Sequence, residues 1–255
     1  MLSLETLFWG LFFVVLMPAL AVAGALLIRR KIGVDILSRH NDVAGFIYAV
    51  VGVVYAVLLG FTAIIVWEQF QGAQEVGERE ANKLADLYRD AKVFPPQVRD
   101  DIHMKLRTYG HVVVEKEWPA MAQRKDSPEA WRAFDQLWES YYAFKPQGEY
   151  EVAWYTESLA RMNELGDMRR RRLLSAQSGI PGVMWAVLLG AGGIVIGFAF
   201  LFGTRNTWAH AVMIAGLAVT IGVVLLSIVA LEHPYSGIQR VTPEAFEQSL
   251  RILGG

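Results

Sequence analysis

The sequence predicts an all-α membrane protein with four transmembrane helices and a helical extramembrane domain inserted between the second and third. Three observations carry that prediction. Four blocks, roughly residues 5–28, 43–67, 182–203 and 207–231, are almost free of charge. Each has about the 20 residues a helix needs to cross a hydrocarbon core about 30 Å thick. Between the second and third blocks, residues 71–178 hold 17 of the 24 Lys/Arg and 18 of the 25 Asp/Glu, the charge-balanced composition of a water-exposed insert. Finally, no stretch alternates apolar and polar residues with period two, so no sheet is expected. The expected domains are 1–70 (spans one and two), 71–178 (helical bundle), 179–231 (spans three and four) and a tail, 232–255.

The first block is too long for a signal-peptide core and has no positive leading segment, so it is expected to stay in place as a span. The second is expected to run on as one helix through AQEVGEREANKLADLYRDAKVF, with Val76, Leu84, Leu87, Tyr88 and Ala91 at helical spacing. Pro95 and Pro96 end it. A helix over 97–117 follows, with Val98, Ile102, Leu106, Tyr109 and Val113 on one face and Trp118-Pro119 closing it. Ser127-Pro128-Glu129 is a helix start: a capping hydroxyl, then proline at the first helical position. Behind it Trp131, Phe134, Leu137, Trp138, Tyr141 and Phe144 form an aromatic stripe. After Pro146–Gly148, a long helix from about 150 carries Trp154, Leu159, Met162 and Leu165 towards the third span.

Four spans place the 71–178 insert and the tail on one side and the loops 29–42 and 204–206 on the other. Arg29, Arg30, Lys31 and Arg39 crowd the first loop, which argues for that side being cytoplasmic. Arg169, Arg170, Arg171 and Arg172 lie shortly before the third span and argue for the opposite. Orientation therefore stays open at the level of sequence.

The second span carries the most patterned surface. Gly45, Ala49, Gly52, Ala56, Gly60 and Ala63 recur at spacings averaging 3.6, so at about 100° per residue all six share one face. Small residues let neighbouring helices approach closely in lipid, where little hydrophobic force drives association. Tyr48, Tyr55 and Thr62 form a second stripe, and their hydroxyls need partners across a helix interface or water along a pore. Apart from Glu5 at the edge of the first, no Asp, Glu, Lys, Arg or mid-span His falls in the four blocks. That argues against ion-coupled pumping, which buries such groups at mid-membrane, and is compatible with a passive pore gated by dewetting. Glu68 and Glu232 end the second and fourth spans; in a symmetric oligomer either would ring a pore mouth with carboxylates, and as single residues they are interfacial carboxylates. The run Arg169, Arg170, Arg171 and Arg172 suits anions, acidic lipid headgroups or partner salt bridges.

Much is excluded. There is no cysteine, hence no disulfide or thiolate site. The five histidines lack ligand spacing and no phosphate-loop, dinucleotide or nucleophile-elbow pattern occurs, so no metal, no cofactor and no enzyme chemistry is expected. The balanced insert gives nucleic acid no basic footprint.

HNDVAGFIYAVVGVVYAVLLGFTAIIVWEQF, the later NELGDMRRRRLLSA with Pro181, and the LEHPYSG…VTPEAF tail together resemble a family of bacterial membrane proteins labelled bestrophin-like. The resemblance spans essentially the whole chain. It implies kinship with bestrophins, pentameric anion channels whose second helix lines the pore around a Leu-Gly-Phe neck. Leu59-Gly60-Phe61 is similar to that neck. By the resemblance Phe61 is a constriction, with Val57 and Val53 one and two turns earlier; Val57 stands where bestrophins carry an aromatic. The acidic calcium clasp has no counterpart here. The resemblance also places the insert in the cytoplasm, against the Arg29–Lys31 loop's charge. The Phe61 line and the Tyr48/Tyr55/Thr62 line cannot both face one axis. The expectation is a homo-oligomer in a bacterial inner membrane, with membrane lipids and inorganic ions as partners, passing ions passively. The competing expectation is a non-conducting scaffold or sensor whose aromatic helix binds a protein.

Overall fold

The computed structural model describes residues 4–254. Residues 1–3 and 255, the outermost positions of the expected domains 1–70 and 232–255, lie outside the described residues. The chain divides into two compact units, one made of the chain up to Glu68 plus 179–232, the other of 69–178 plus 233–255. The tail thus groups with the helical insert. Among the described residues every regular element is a helix.

In the first unit, α1 (Leu4–Leu11), a π-helical turn (Phe12–Leu16) and α2 (Met17–Ile32) follow one another. The turn absorbs one extra residue just ahead of Pro18, whose missing N–H would otherwise break the ladder. A short α3 (Val34–Ser38) precedes α4 (Asn41–Asp90), and α9 (Gly182–Ala199) and α10 (Thr207–Leu231) complete the unit. Four segments are long and apolar enough to cross a membrane: Leu7–Ile32, Asn41–Val93, Gly182–Ala199 and Thr207–Leu231.

Close approach replaces hydrophobic force in this unit. A Cβ at Gly222 on α10 would collide with the Phe13 carbonyl, and one at Gly24 on α2 would lie 2.9 Å from the Phe200 ring. Ala21, Ala25, Ala199, Ile214 and Ala218 fill the seam. At the loop end, the Asn41 amide donates to Gly203 O (2.8 Å) and accepts from Gly203 N (3.0 Å). Asn206 caps α10 by accepting from Trp208 N and Ala209 N, both at 3.1 Å.

The second unit takes the rest of α4, then a 3₁₀ turn (Ala91–Val93), α5 (Pro96–Val112), a π-helical turn (Val113–Glu117), α6 (Trp118–Met121), α7 (Pro128–Ala143), α8 (Gly148–Gln177) and α11 (Glu244–Ile252). The helix expected to close at Trp118-Pro119 instead continues to Met121. The π turn lets Pro119 fall in a first turn, where its absent N–H has no partner to lose. Ser127 caps α7 as expected, accepting from Ala130 N at 3.3 Å. The tail is pinned by Trp118 Nε1 donating to Val241 O (3.1 Å), Tyr235 OH to Ala73 O (3.2 Å) and Ser249 Oγ to Ala81 O (2.9 Å). α11 presses on α5 so closely that a Cβ at Gly110 would sit 2.8 Å from the Leu250 side chain.

Candidate functional site

Membrane helices turn polar side chains away from hydrocarbon, and α4 obeys this in its first half. Tyr55 (4% exposed) and Thr62 (5%) are buried inside the first unit. Thr62 donates back to Leu58 O at 2.8 Å. Tyr48 stacks on Phe198 at 5.9 Å and meets Phe202 edge-on at 5.5 Å. Among the described residues the Tyr55 hydroxyl has no hydrogen-bond partner, and it lies 2.6 Å from where a Cβ on Gly192 would stand. The residue there must therefore be glycine for the ring to enter.

Opposite this stripe, at about 100° per residue, run Val53, Val57 and Phe61, exposed by 64%, 51% and 64%. The two lines that cannot share an axis thus take opposite faces, the hydroxyls inward and the valines and phenylalanine outward. Glu68, also exposed, falls between Val57 and Phe61 in angular position. The small-residue stripe is different again. Ala49, Ala56 and Gly60 are exposed and Gly45, Gly52 and Ala63 half-buried. A Cβ on Gly45, Gly52 or Gly60 would meet nothing within 4 Å. Ala63 of this stripe packs on the unit's core, while among the described residues of this unit the close glycine approaches between helices belong to Gly24, Gly192 and Gly222 and not to Gly45, Gly52 or Gly60.

Glu232 is held rather than free: its Oε1 accepts from Ile180 N at 3.1 Å and Trp185 Nε1 at 3.0 Å, fixing the start of α9.

The second unit contains a buried ionic cluster that corrects the lipid or anion role expected of two of the four arginines. Arg169 and Arg172 are spaced to fall on the inward face of α8, in line with Met162 and Leu165, and both are buried. Arg172 donates to Glu80 (Nε to Oε2, 2.6 Å; Nη2 to Oε1, 3.0 Å) and to Glu117 Oε2 (2.6 Å). Arg169 Nη2 donates to Glu117 Oε1 at 2.6 Å, and Tyr109 OH to Glu80 Oε1 at 2.6 Å. The guanidinium of Arg169 lies 3.9 Å from the Trp131 ring centre, a cation–π contact. Two carboxylates thus balance two guanidiniums, and α4, α5 and α8 are tied by charge-assisted bonds. Burial alone would push the Glu117 carboxyl up, but Arg172 and Arg169 outweigh it and hold the group below the usual carboxylate range. Burial and the Glu80 carboxylate push the Tyr109 phenol well above its ordinary value. Arg170 and Arg171 alone of the run are exposed, and Arg170 pairs with Asp167.

Four apolar span-length helices and an all-helical insert define the class: an all-α, membrane-helix protein. A model of the Bestrophin-like domain matches residues 15–246, and the chain belongs to that family. Among solved structures, a point mutant of a bacterial bestrophin homologue from Klebsiella pneumoniae aligns with a TM-score of 0.70 at 12% identity, covering 95% of this chain and 99% of that one. A further mutant of that homologue gives 0.68 at 11% identity, with the same coverage. A mutant crystal structure described only as a membrane protein gives 0.64 at 14%, covering 98% of each chain. At such identities the likeness is one of fold. No curated protein matches the sequence.

Proposed function

We propose that the chain is one subunit of a homo-oligomeric, passive ion channel of the bacterial inner membrane, a pentamer by its kinship with bestrophins. The observation that carries the reading is the orientation of α4: an uncharged membrane helix buries its hydroxyls in its own bundle and leaves Val53, Val57 and Phe61 outward and uncovered. In this reading several copies of that face meet around an axis and form an apolar neck that gates by dewetting. Glu68, at the end of the same face, then adds a ring of carboxylates that favours cations. The family match supports the class of activity, and the absence of mid-span charge supports passive conduction over coupled transport.

The competing scaffold reading rested on the aromatic stripe of α7 as a docking face. Phe134, Leu137 and Tyr141 of that stripe are buried in the second unit's own core, while Trp131 is exposed and Trp138 and Phe144 are half-buried, so only part of the stripe is open to a partner. The deciding experiment is ion flux from liposomes holding the purified chain, with K⁺, Na⁺ and Cl⁻ gradients at both polarities. Selective flux that changes when Phe61 or Val57 is replaced by alanine is expected. Silence to all three ions, or flux indifferent to both substitutions, refutes the channel.

A further inference from the structure

The first unit contains two cavities of about 410 Å³ each that share Tyr48 and Leu217 as walls. One opens at the loop end, between Asn41, Phe202, Thr204 and His210. The other follows α4 and α10 inward along Gly52, Ala56, Gly60 and Val224. The shared walls place them end to end along the groove between α4 and α10. The inner one, from Tyr48 to Gly60, follows twelve residues of helix, about 18 Å at 1.5 Å per residue. Half of a hydrocarbon core about 30 Å thick is about 15 Å, so the inner cavity has the depth of one leaflet and the loop-end cavity lies beyond it. Farther along, Val66, Leu225 and Ile228 are buried in the bundle's core. A transmembrane helix from another copy would need a seat along the whole span; a single acyl chain needs only this half.

The loop end has the charge a lipid headgroup would find. Arg29 donates to Thr204 O (2.5 Å) and Arg205 O (3.0 Å), neutral carbonyls that leave its charge uncompensated beside a residue lining the groove. Arg30, Lys31, Arg39 and Arg205 are exposed, and none of these five cations forms an ion pair among the described residues. We propose that the groove between α4 and α10 is a binding site for an anionic phospholipid. One acyl chain lies along Gly52, Ala56 and Gly60, and the phosphate sits among Arg29, Arg205 and their basic neighbours. Gly52, Ala56 and Gly60 of α4 then make room for a lipid tail, which accounts for the open space beside Gly52 and Gly60.

The test is native mass spectrometry of the delipidated full chain, titrated with phosphatidylglycerol and, separately, phosphatidylcholine of the same tails. Phosphatidylglycerol should be retained at clearly higher occupancy. Arg205→Gln, which removes an exposed cation, should weaken that preference about fivefold, the effect of one cation near an anionic headgroup. Ala56→Leu should fill the groove and lower retention of both lipids, with helical content unchanged by circular dichroism. Equal retention of the two lipids, or retention indifferent to Ala56→Leu, overturns the proposal. Ala56→Leu that alters the subunit count and leaves lipid retention intact also overturns it, and gives the groove to a second copy of the chain.

Discussion

Replacing Arg172 with methionine tests the central physical claim about the second unit. Arg172 is the one cation that bridges both buried carboxylates, at 2.6 Å to each. Methionine fills similar space without charge, so Glu80 and Glu117 remain buried with Arg169 alone, and Arg169 reaches only Glu117. Breaking a buried pair in this one-sided way costs about 3–5 kcal/mol. For a unit of this size each kcal/mol shifts the melting temperature by about 4 °C, so a fall of about 12–20 °C is expected in detergent. Tryptophan fluorescence reads this unit through Trp118, Trp131, Trp138 and Trp154. Adding Glu80→Gln to Arg172→Met should recover part of the loss. Glutamine still accepts from Tyr109, and one carboxylate then faces one guanidinium. The double variant should therefore melt above the single, with a coupling of about 1 kcal/mol or more. A single variant within about 2 °C of the parent, or a double variant lower than the single, refutes the account of the cluster as a mutually neutralised tie.

Gly222→Ala should lower the melting temperature by several degrees, because its Cβ would strike the Phe13 backbone, whereas Gly45→Ala, facing open space, should leave it level or raise it by up to about 4 °C, the equivalent of about 1 kcal/mol of helix propensity. His103 is buried and stacked on Tyr88 at 3.6 Å, and burial holds its pKa below the ordinary 6.5. The unfolded chain then binds the extra proton first, so stability should hold above about pH 6.5 and fall as pH drops below it, and melting curves at pH 7.5 and 5.5 should show this dependence flattened in His103→Gln. With Arg169 and Arg172 neutralised internally, the exposed cations Arg30, Lys31, Arg39 and Arg205 weight the charge rule toward a cytoplasmic 29–42 loop, against Arg170 and Arg171 on the insert side and against the family resemblance. In this cysteine-free chain, Ser38→Cys should resist an impermeant maleimide on intact cells while Gln248→Cys reacts, and the reverse pattern refutes that count.

The spans, the helical insert and the Ser127 cap were legible because each depends on a local signal: length, charge or a capping hydroxyl. The ionic cluster depends on which helix faces meet, yet its trace is present in the sequence. Val76 and Leu84 bracket Glu80 at four-residue steps on the apolar face of α4. The stripe Ile102, Leu106, Tyr109, Val113 reaches Glu117 at the next step, and Met162, Leu165 reach Arg169 and Arg172. Three apolar stripes that each continue into a charge imply that those charges meet inside. What the sequence lacked was any measure of which stripes face one another. The small-residue stripe was legible as a flat face, but what meets it was not, because flatness serves a helix or a lipid tail alike.

The two faces of α4 constrain the channel reading more than either does alone. By composition, a line of Tyr48, Tyr55 and Thr62 is the better candidate for contact with water, since hydroxyls replace part of an ion's hydration shell. The bundle takes that line for itself, because an isolated subunit in lipid has nowhere else to place polar groups. Whatever passes along the outward face must then cross Val53, Val57 and Phe61 without hydrogen-bonding help, so conduction depends on how wide the assembled neck stands and not on ligands it offers. Enlarging the neck at Phe61 should therefore raise conductance with little change in selectivity, while the charge at Glu68 should set which sign of ion arrives.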